Sequence, residues 1–301
     1  MWLPQFACPE CAAQIDEDGS GHVVCRECGH RFEHGNGVYR FLTASRLAAA
    51  EPFIRQYRLV REREGYRVAA PDYYRGLPSV GPADPHEVEW RLRRESYQHL
   101  QRHVLPRVWF VTMRVIDVGA GNGWLSHRLA SVGHEVVAVD RLDDEEDGLG
   151  ACRHYATRFP CVQADFDAPP FAPRQFNLVV FNGSLHYSPD VAATLARARR
   201  LLAPGGTLVV MDSPMFRRDG DGHAMVADKL RRFKTEYGLT DIVHPNVGFL
   251  TFQSLAEAVE PLGLRGRFFP TRGPLAWRAR RHLSRIRLRR APAAFGVWVA
   301  R

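Results

Sequence analysis

The stretch "DVGAGNG", Asp117 to Gly123, overlaps the end of the apolar run "RVIDV" at residues 114–118. Glycine at every second position behind a strand marks a turn whose backbone comes close to a ligand. A dinucleotide fingerprint is spaced G-x-G-x-x-G, with the second glycine admitting a pyrophosphate and the third packing the helix. Here Gly119, Gly121 and Gly123 are separated by Ala120 and Asn122, and Trp124 follows. The bulky indole argues against a pyrophosphate cradle, so the expected ligand carries no phosphates.

Outward from this loop, short apolar runs alternate with helical stretches. "EVVAVD", "CVQADF", "FNLVVFNG" and "TLVVMD" read as strands, with helices expected over 123–132, 149–159 and 190–202. Apolar strands separated by helices imply a parallel sheet covered on both faces. "LRGRFF" and "AFGVWVA" supply two further strands, expected as an antiparallel edge. The fold class is α/β, a doubly wound, mostly parallel seven-stranded sheet over residues 111–301, with insertions at 213–250 and 271–291. Residues 43–110 read as a helical cap or linker in two parts. Trp90, Tyr97, Leu100 and Val104 fall on one face of the second helix, which starts at an Asp84 N-cap and stops at Pro106. Between the two parts, "APDYYRGLPSVGPADP" reads as a loop.

In such a sheet the ligand lies beyond the carboxyl ends of the strands, where strand order reverses. Asp140 ends the second strand of the domain, 17 residues past Gly123, where a carboxylate accepts both hydroxyls of a ribose. Asp165 and Phe166, after the third strand, suit an adenine amine and ring, and Asp117 suits an ammonium group. An adenosine half, a cationic amine and no phosphate describe S-adenosylmethionine.

"VIDVGAGNG", "VVAVD", "QADFD", "FNLVVFNGSLHYSPD" and "LLAPGGTLVVMD" resemble, in order, the successive motifs of class I S-adenosylmethionine-dependent methyltransferases over roughly residues 114–212. The resemblance implies that Asp117 and the loop of Gly119, Ala120, Gly121, Asn122 and Gly123 serve the methionine end. It carries Asp140 to the ribose and Asp165 with Phe166 to the adenine, and it places Asn182 near the sulfonium. "NGSL" stands where amino-methylating enzymes have an "NPPY"-type segment, so oxygen or carbon is the expected acceptor atom. His186 is the candidate catalytic base. Five acidic residues, Asp143 to Asp147, precede the helix expected at 149–159, where negative charge favours a helix start.

Cys8, Cys11, Cys25 and Cys28 are spaced C-x2-C-x13-C-x2-C, the pattern of two zinc knuckles. Four thiolates close the coordination sphere, so the expected Zn2+ is structural. Residues 1–42 are then a zinc ribbon, too short to fold on its own core. It resembles the zinc modules ahead of some bacterial methyltransferase domains, including a guanine-N1 rRNA methyltransferase family. It also resembles the zinc-ribbon activator subunit of certain tRNA and protein methyltransferases. Cys152 and Cys161 lack such spacing and read as buried thiols.

The net charge of +8 raises nucleic acid as a partner, but its distribution narrows that. Residues 272–290 hold eight Arg and no acid, so the rest of the chain is formally neutral. This segment reads as a basic helix with Trp277, Leu283, Ile286 and Leu288 among the arginines, for packing on the sheet edge, RNA phosphates or anionic headgroups. No apolar run reaches the roughly 18 residues that a membrane span needs, and no secretion signal opens the chain, so a cytoplasmic location without integral membrane association is expected. The leading reading is a methyltransferase (EC 2.1.1) acting on a small or medium organic acceptor. An rRNA or tRNA base methyltransferase is the alternative, and a non-catalytic binding module on the same scaffold is the third reading.

Overall fold

The structure is a computed structural model describing residues 1–17, 22–105, 111–243 and 246–301. A ribbon opens the chain, with β1 (Asp16–Glu17), β2 (His22–Val24), β3 (Arg31–Gly35) and β4 (Val38–Arg40). Three helices follow, α1 (Ala44–Arg63), α2 (Pro71–Gly76) and α3 (Glu87–His103). The alternating region comprises β5 (Arg114–Val118), α4 (Trp124–Ser131), β6 (Glu135–Asp140), β7 (Cys161–Gln163), β8 (Phe176–Asn182), α5 (Val191–Leu201) and β9 (Leu202–Met211). The chain closes with β10 (Met215–Phe216), α6 (Asp219–Tyr237), β11 (Leu250–Thr251), α7 (Phe252–Val259), β12 (Gly266–Pro270), α8 (Leu275–Leu288) and β13 (Gly296–Ala300).

Among the described residues, 11 strands share one sheet in the order β1-β2-β3-β4-β7-β6-β5-β8-β9-β13-β12. The strands from β7 to β9 in that order are parallel, with β13 and β12 antiparallel at the far edge. The chain winds outward from β5 to β7, then returns to place β8 on the other side of β5. That reversal opens a crevice above the carboxyl ends of β5 and β8.

The central strands β5, β6, β8 and β9 bury both faces. Ile116, Val137, Val139, Val179 and Val210 pack with Leu195 of α5 and Leu255 of α7 on one side. Their neighbours Val115, Val136, Ala138, Val180 and Val209 pack with Trp90 of α3 and Leu129 of α4 on the other. This two-sided burial is why the strands read as unbroken apolar runs.

The ribbon is not a separate bead. β4 pairs in parallel with β7, Val38 opposite Cys161, and so extends the central sheet. Phe6, Phe32 and Phe41 join the same apolar cluster as Val162 of β7. Cys152 and Cys161 are buried, as expected of thiols without a metal.

Three local expectations are corrected. The segment read as a loop contains α2, where Pro71 supplies the fixed φ of a first helical turn and Tyr74 is fully buried. The helix expected at 149–159 is a 3-10 turn over Leu149–His154. There Gly150 packs so close to the acidic run that a Cβ would sit 2.8 Å from the Glu145 Cα. Asp84 does not cap α3. Its carboxylate accepts the N–H of His86, the residue at the N-cap itself, at 2.7 Å, from two positions upstream. Pro106 and the side chain of Ile286 lie outside the described residues.

Candidate active site

The loop after β5 turns at Gly119, Gly121 and Gly123, all with φ between 56° and 76°. At Gly119 a Cβ would lie 2.2 Å from the Ser184 Cβ, so this glycine is required by the crossing of two chain segments. At Gly121 a Cβ would meet no protein atom closer than 4.0 Å. It would instead enter the cleft that Gly119, Ala120, Gly121 and Asn122 line. Gly123 faces away, against Cys152 and Phe159.

Asp140 lines the same cleft from the end of β6. Its carboxylate accepts the N–H of Gly121 at 2.7 Å and of Leu142 at 2.8 Å, which fixes its rotamer and leaves lone pairs for hydroxyl donors. Burial pushes its carboxyl above the ordinary value, and the two N–H groups act against that. Phe166 and Asn182 line the cleft as well. Asp165 does not; it is buried and held by Arg141 at 2.6 Å and Arg46 at 3.6 Å.

Asp117 lies behind the loop rather than on the cleft wall, with no exposure. Ser126 donates to one of its oxygens at 2.8 Å, and the other is buried without a partner. Desolvation raises its carboxyl from an ordinary 3.8 to about 7. His186 is buried and lies outside the cleft, its Nδ1 3.2 Å from Ser213 Oγ and its ring 4.2 Å from that of Tyr187.

Helical residues that sequence reasoning left without a role form the opposite wall. Phe53, Tyr57 and Arg61 of α1, with Trp90 and Arg93 of α3, line the cleft. The spacing of Phe53, Tyr57 and Arg61, one turn apart each time, was the available signal. What holds α1 in place is the acidic run. Arg61 grips Asp147 through two bonds of 2.5 and 2.8 Å. Arg67 binds Asp144 and Glu146, both at 2.9 Å, and Arg40 binds Asp143 at 2.9 Å. The run therefore clasps the cap through Arg61 and Arg67 and the ribbon through Arg40, and does not serve as a helix start.

A second cavity of about 520 Å3 adjoins the cleft. The two share Phe53, Tyr57, Arg61 and Tyr187. Lys229, Arg232 and Phe233 of α6, within the 213–250 insertion, line the far side of this space.

In the ribbon, the thiols of Cys8, Cys11, Cys25 and Cys28 all lie within 4.8 Å of one another. The backbone repeats itself at both pairs. The Ala12 N–H bonds to Cys8 O at 2.8 Å, and the Gly29 N–H bonds to Cys25 O at 2.9 Å. Ala12 adopts φ 62° there, the left-handed turn that Gly29 makes freely. Four sulfurs on two knuckles are a donor set that suits zinc.

A family model described as a methyltransferase domain matches residues 116–210. A malonyl-acyl-carrier-protein O-methyltransferase of Enterobacter lignolyticus is 30% identical over 194 residues, covering 63% of this chain and 68% of that protein. The chain belongs to the class I S-adenosylmethionine-dependent methyltransferases. A second malonyl-acyl-carrier-protein O-methyltransferase, from Erwinia billingiae, is 28% identical over 50% of this chain. A ubiquinone biosynthesis O-methyltransferase of Xylella fastidiosa is 31% identical, again over 50% of this chain. The chain spans 54% of the Erwinia protein and 61% of the Xylella one. Among its described residues, no helix is long and apolar enough to cross a membrane.

Proposed function

We propose that this methyltransferase methylates an oxygen of a small organic acceptor held in the cavity between α1, α3 and α6. The observation that carries the reading is the shared wall: Phe53, Tyr57, Arg61 and Tyr187 face both the cofactor cleft and the second cavity. Two relatives that act as O-methyltransferases by name support oxygen as the acceptor atom. The RNA alternative draws no support from these relatives.

The cleft suits S-adenosylmethionine by its donors. Asp140 takes the ribose hydroxyls on its free lone pairs, while Gly121 leaves backbone room for the ligand. Phe166 flanks the adenine, and the unpartnered oxygen of buried Asp117 draws the amino group toward the loop. Asp165, tied to Arg141, acts on the adenine through that arginine, which does line the cleft. Asn182 closes the end of β8. S-adenosylmethionine, when bound, supplies a sulfonium methyl, so the acceptor oxygen gains the carbon bond while the carbon–sulfur pair returns to sulfur. The chain's task is alignment and exclusion of water. Phe53, Tyr57 and Tyr187 supply an apolar, close-fitting wall for this. His186, bonded to Ser213 and packed on Tyr187, acts as a positioning residue for that phenol. The Cys8, Cys11, Cys25 and Cys28 site holds a structural Zn2+.

Incubation with methyl-labelled S-adenosylmethionine and a fractionated cell extract tests the reading. Label is expected in the small-molecule fraction, in an ester or ether. Label confined to RNA or protein would reject it.

A further inference from the structure

The acceptor cavity contains a cation that no acid neutralises. Lys229 stands half-buried on α6 with its ammonium 5.2 Å from the ring centre of Phe233. The other cations lining this cavity are engaged. Arg61 holds Asp147, and Arg232 holds Glu64 at 2.7 Å. Among the described residues Lys229 makes no ion pair and no hydrogen bond. Glu64, whose field it feels, is already committed to Arg232, and Glu89 on the rim is exposed. Burial disfavours the charged ammonium, an energetic cost that an incoming anion would offset.

The rest of the cavity is aromatic. Tyr66 is closed on both faces, by His86 at 3.5 Å and by Arg61 at 3.5 Å, and offers the cavity its edge, while Phe53 and Tyr57 pack at 5.7 Å. Flat rings on several sides favour a planar, apolar body. The shared wall also lacks a proton acceptor for neutral pH. Burial raises the phenols of Tyr57 and Tyr187 above their ordinary range, and Arg61 is a committed cation. An oxygen methylated beside this wall arrives ionised or readily ionised, which again selects for an acidic molecule.

We propose that Lys229 is the specificity-determining residue of the acceptor cavity, binding the anionic oxy-group of a planar acceptor whose ring lies among Phe53, Tyr57 and Tyr66. The inference rests on the proposed function above. A lone ammonium recognises a carboxylate and a phosphate alike, so the test separates them.

Calorimetric titrations of the full chain with S-adenosylhomocysteine, then with benzoate, 3-phenylpropionate, phenyl phosphate and benzamide, decide the matter. At least one anion is expected to bind the loaded protein at least tenfold more tightly than benzamide. The tighter of the carboxylates and the phosphate names the group. Lys229→Gln should lose tenfold or more of that affinity and Lys229→Arg should retain most of it. Both variants should bind S-adenosylhomocysteine within twofold of the parent, which shows that they fold. Benzamide binding as well as the anions, no anion binding at all, or an unchanged Lys229→Gln overturns the inference and leaves methyl transfer standing. Failure of S-adenosylhomocysteine to bind overturns both.

Discussion

Asp117 shows how one buried atom ties stability to ligand binding. Its carboxyl is raised to about 7 by desolvation, because only one oxygen has a donor. A raised folded-state pKa stabilises the fold most below the ordinary value of 3.8, and that contribution is lost as pH rises through about 7. Asp117→Asn should match the parent near pH 4. At pH 8, without cofactor, it should be the more stable by on the order of 2–4 kcal/mol. Urea unfolding of the two proteins at both pH values checks this; equal differences at the two would contradict it. In its proposed role the buried Asp117 acts on the ligand amine from behind the loop, so the same substitution should also weaken S-adenosylmethionine binding.

The clasp between α1 and the loop at 143–147 makes a sharper claim about how the cap is held. The other pairs to the loop, from Arg40 of β4, Arg58 of α1 and Arg67 just beyond α1, are partly exposed, and such pairs contribute little each. The Arg61–Asp147 pair differs, with side chains only 16% and 3% exposed. Removing one member of a buried pair leaves the other charge uncompensated, at a cost of about 3–5 kcal/mol. Arg61→Met should therefore destabilise the protein by roughly that amount, while Arg61→Met with Asp147→Asn should recover part of it. Because α1 carries Phe53 and Tyr57 into the cleft, the single variant should also bind S-adenosylhomocysteine at least tenfold more weakly. Unfolding curves paired with calorimetry test both parts. Intact cofactor affinity in the single variant would mean that α1 does not depend on the clasp.

The continuous sheet makes the ribbon and the α/β unit one thermodynamic body. β4 is hydrogen-bonded to β7, and Phe6 and Phe41 share a core with Val139. Stripping the proposed zinc should then lower a single unfolding transition by several degrees, since a small apolar core cannot replace four metal bonds. Differential scanning calorimetry with and without a strong chelator measures this. A separate low-temperature ribbon transition, with the main one unmoved, would show that the strand pairing carries no coupling.

Strand identity, the ligand loop and the four-cysteine spacing were legible because each depends on local chemistry. Glycine at Gly119 and Gly121 answers to backbone geometry, apolar runs answer to two-sided burial, and thiol spacing answers to knuckle turns. The purpose of the acidic run at 143–147 was not legible, because its partners, Arg40, Arg61 and Arg67, lie about 80 to 100 residues earlier in the chain. The wall of the second cavity was hidden for the same reason: Tyr57, Tyr187 and Lys229 come from three distant segments. By itself, then, the order of residues determined the sheet, the cofactor loop and the cysteine cluster, all set by neighbours within a few positions. Only the tertiary structure decided how the cap is clasped, where the ribbon joins the sheet and which side chains line the second cavity. Those depend on long-range pairings that no local pattern encodes.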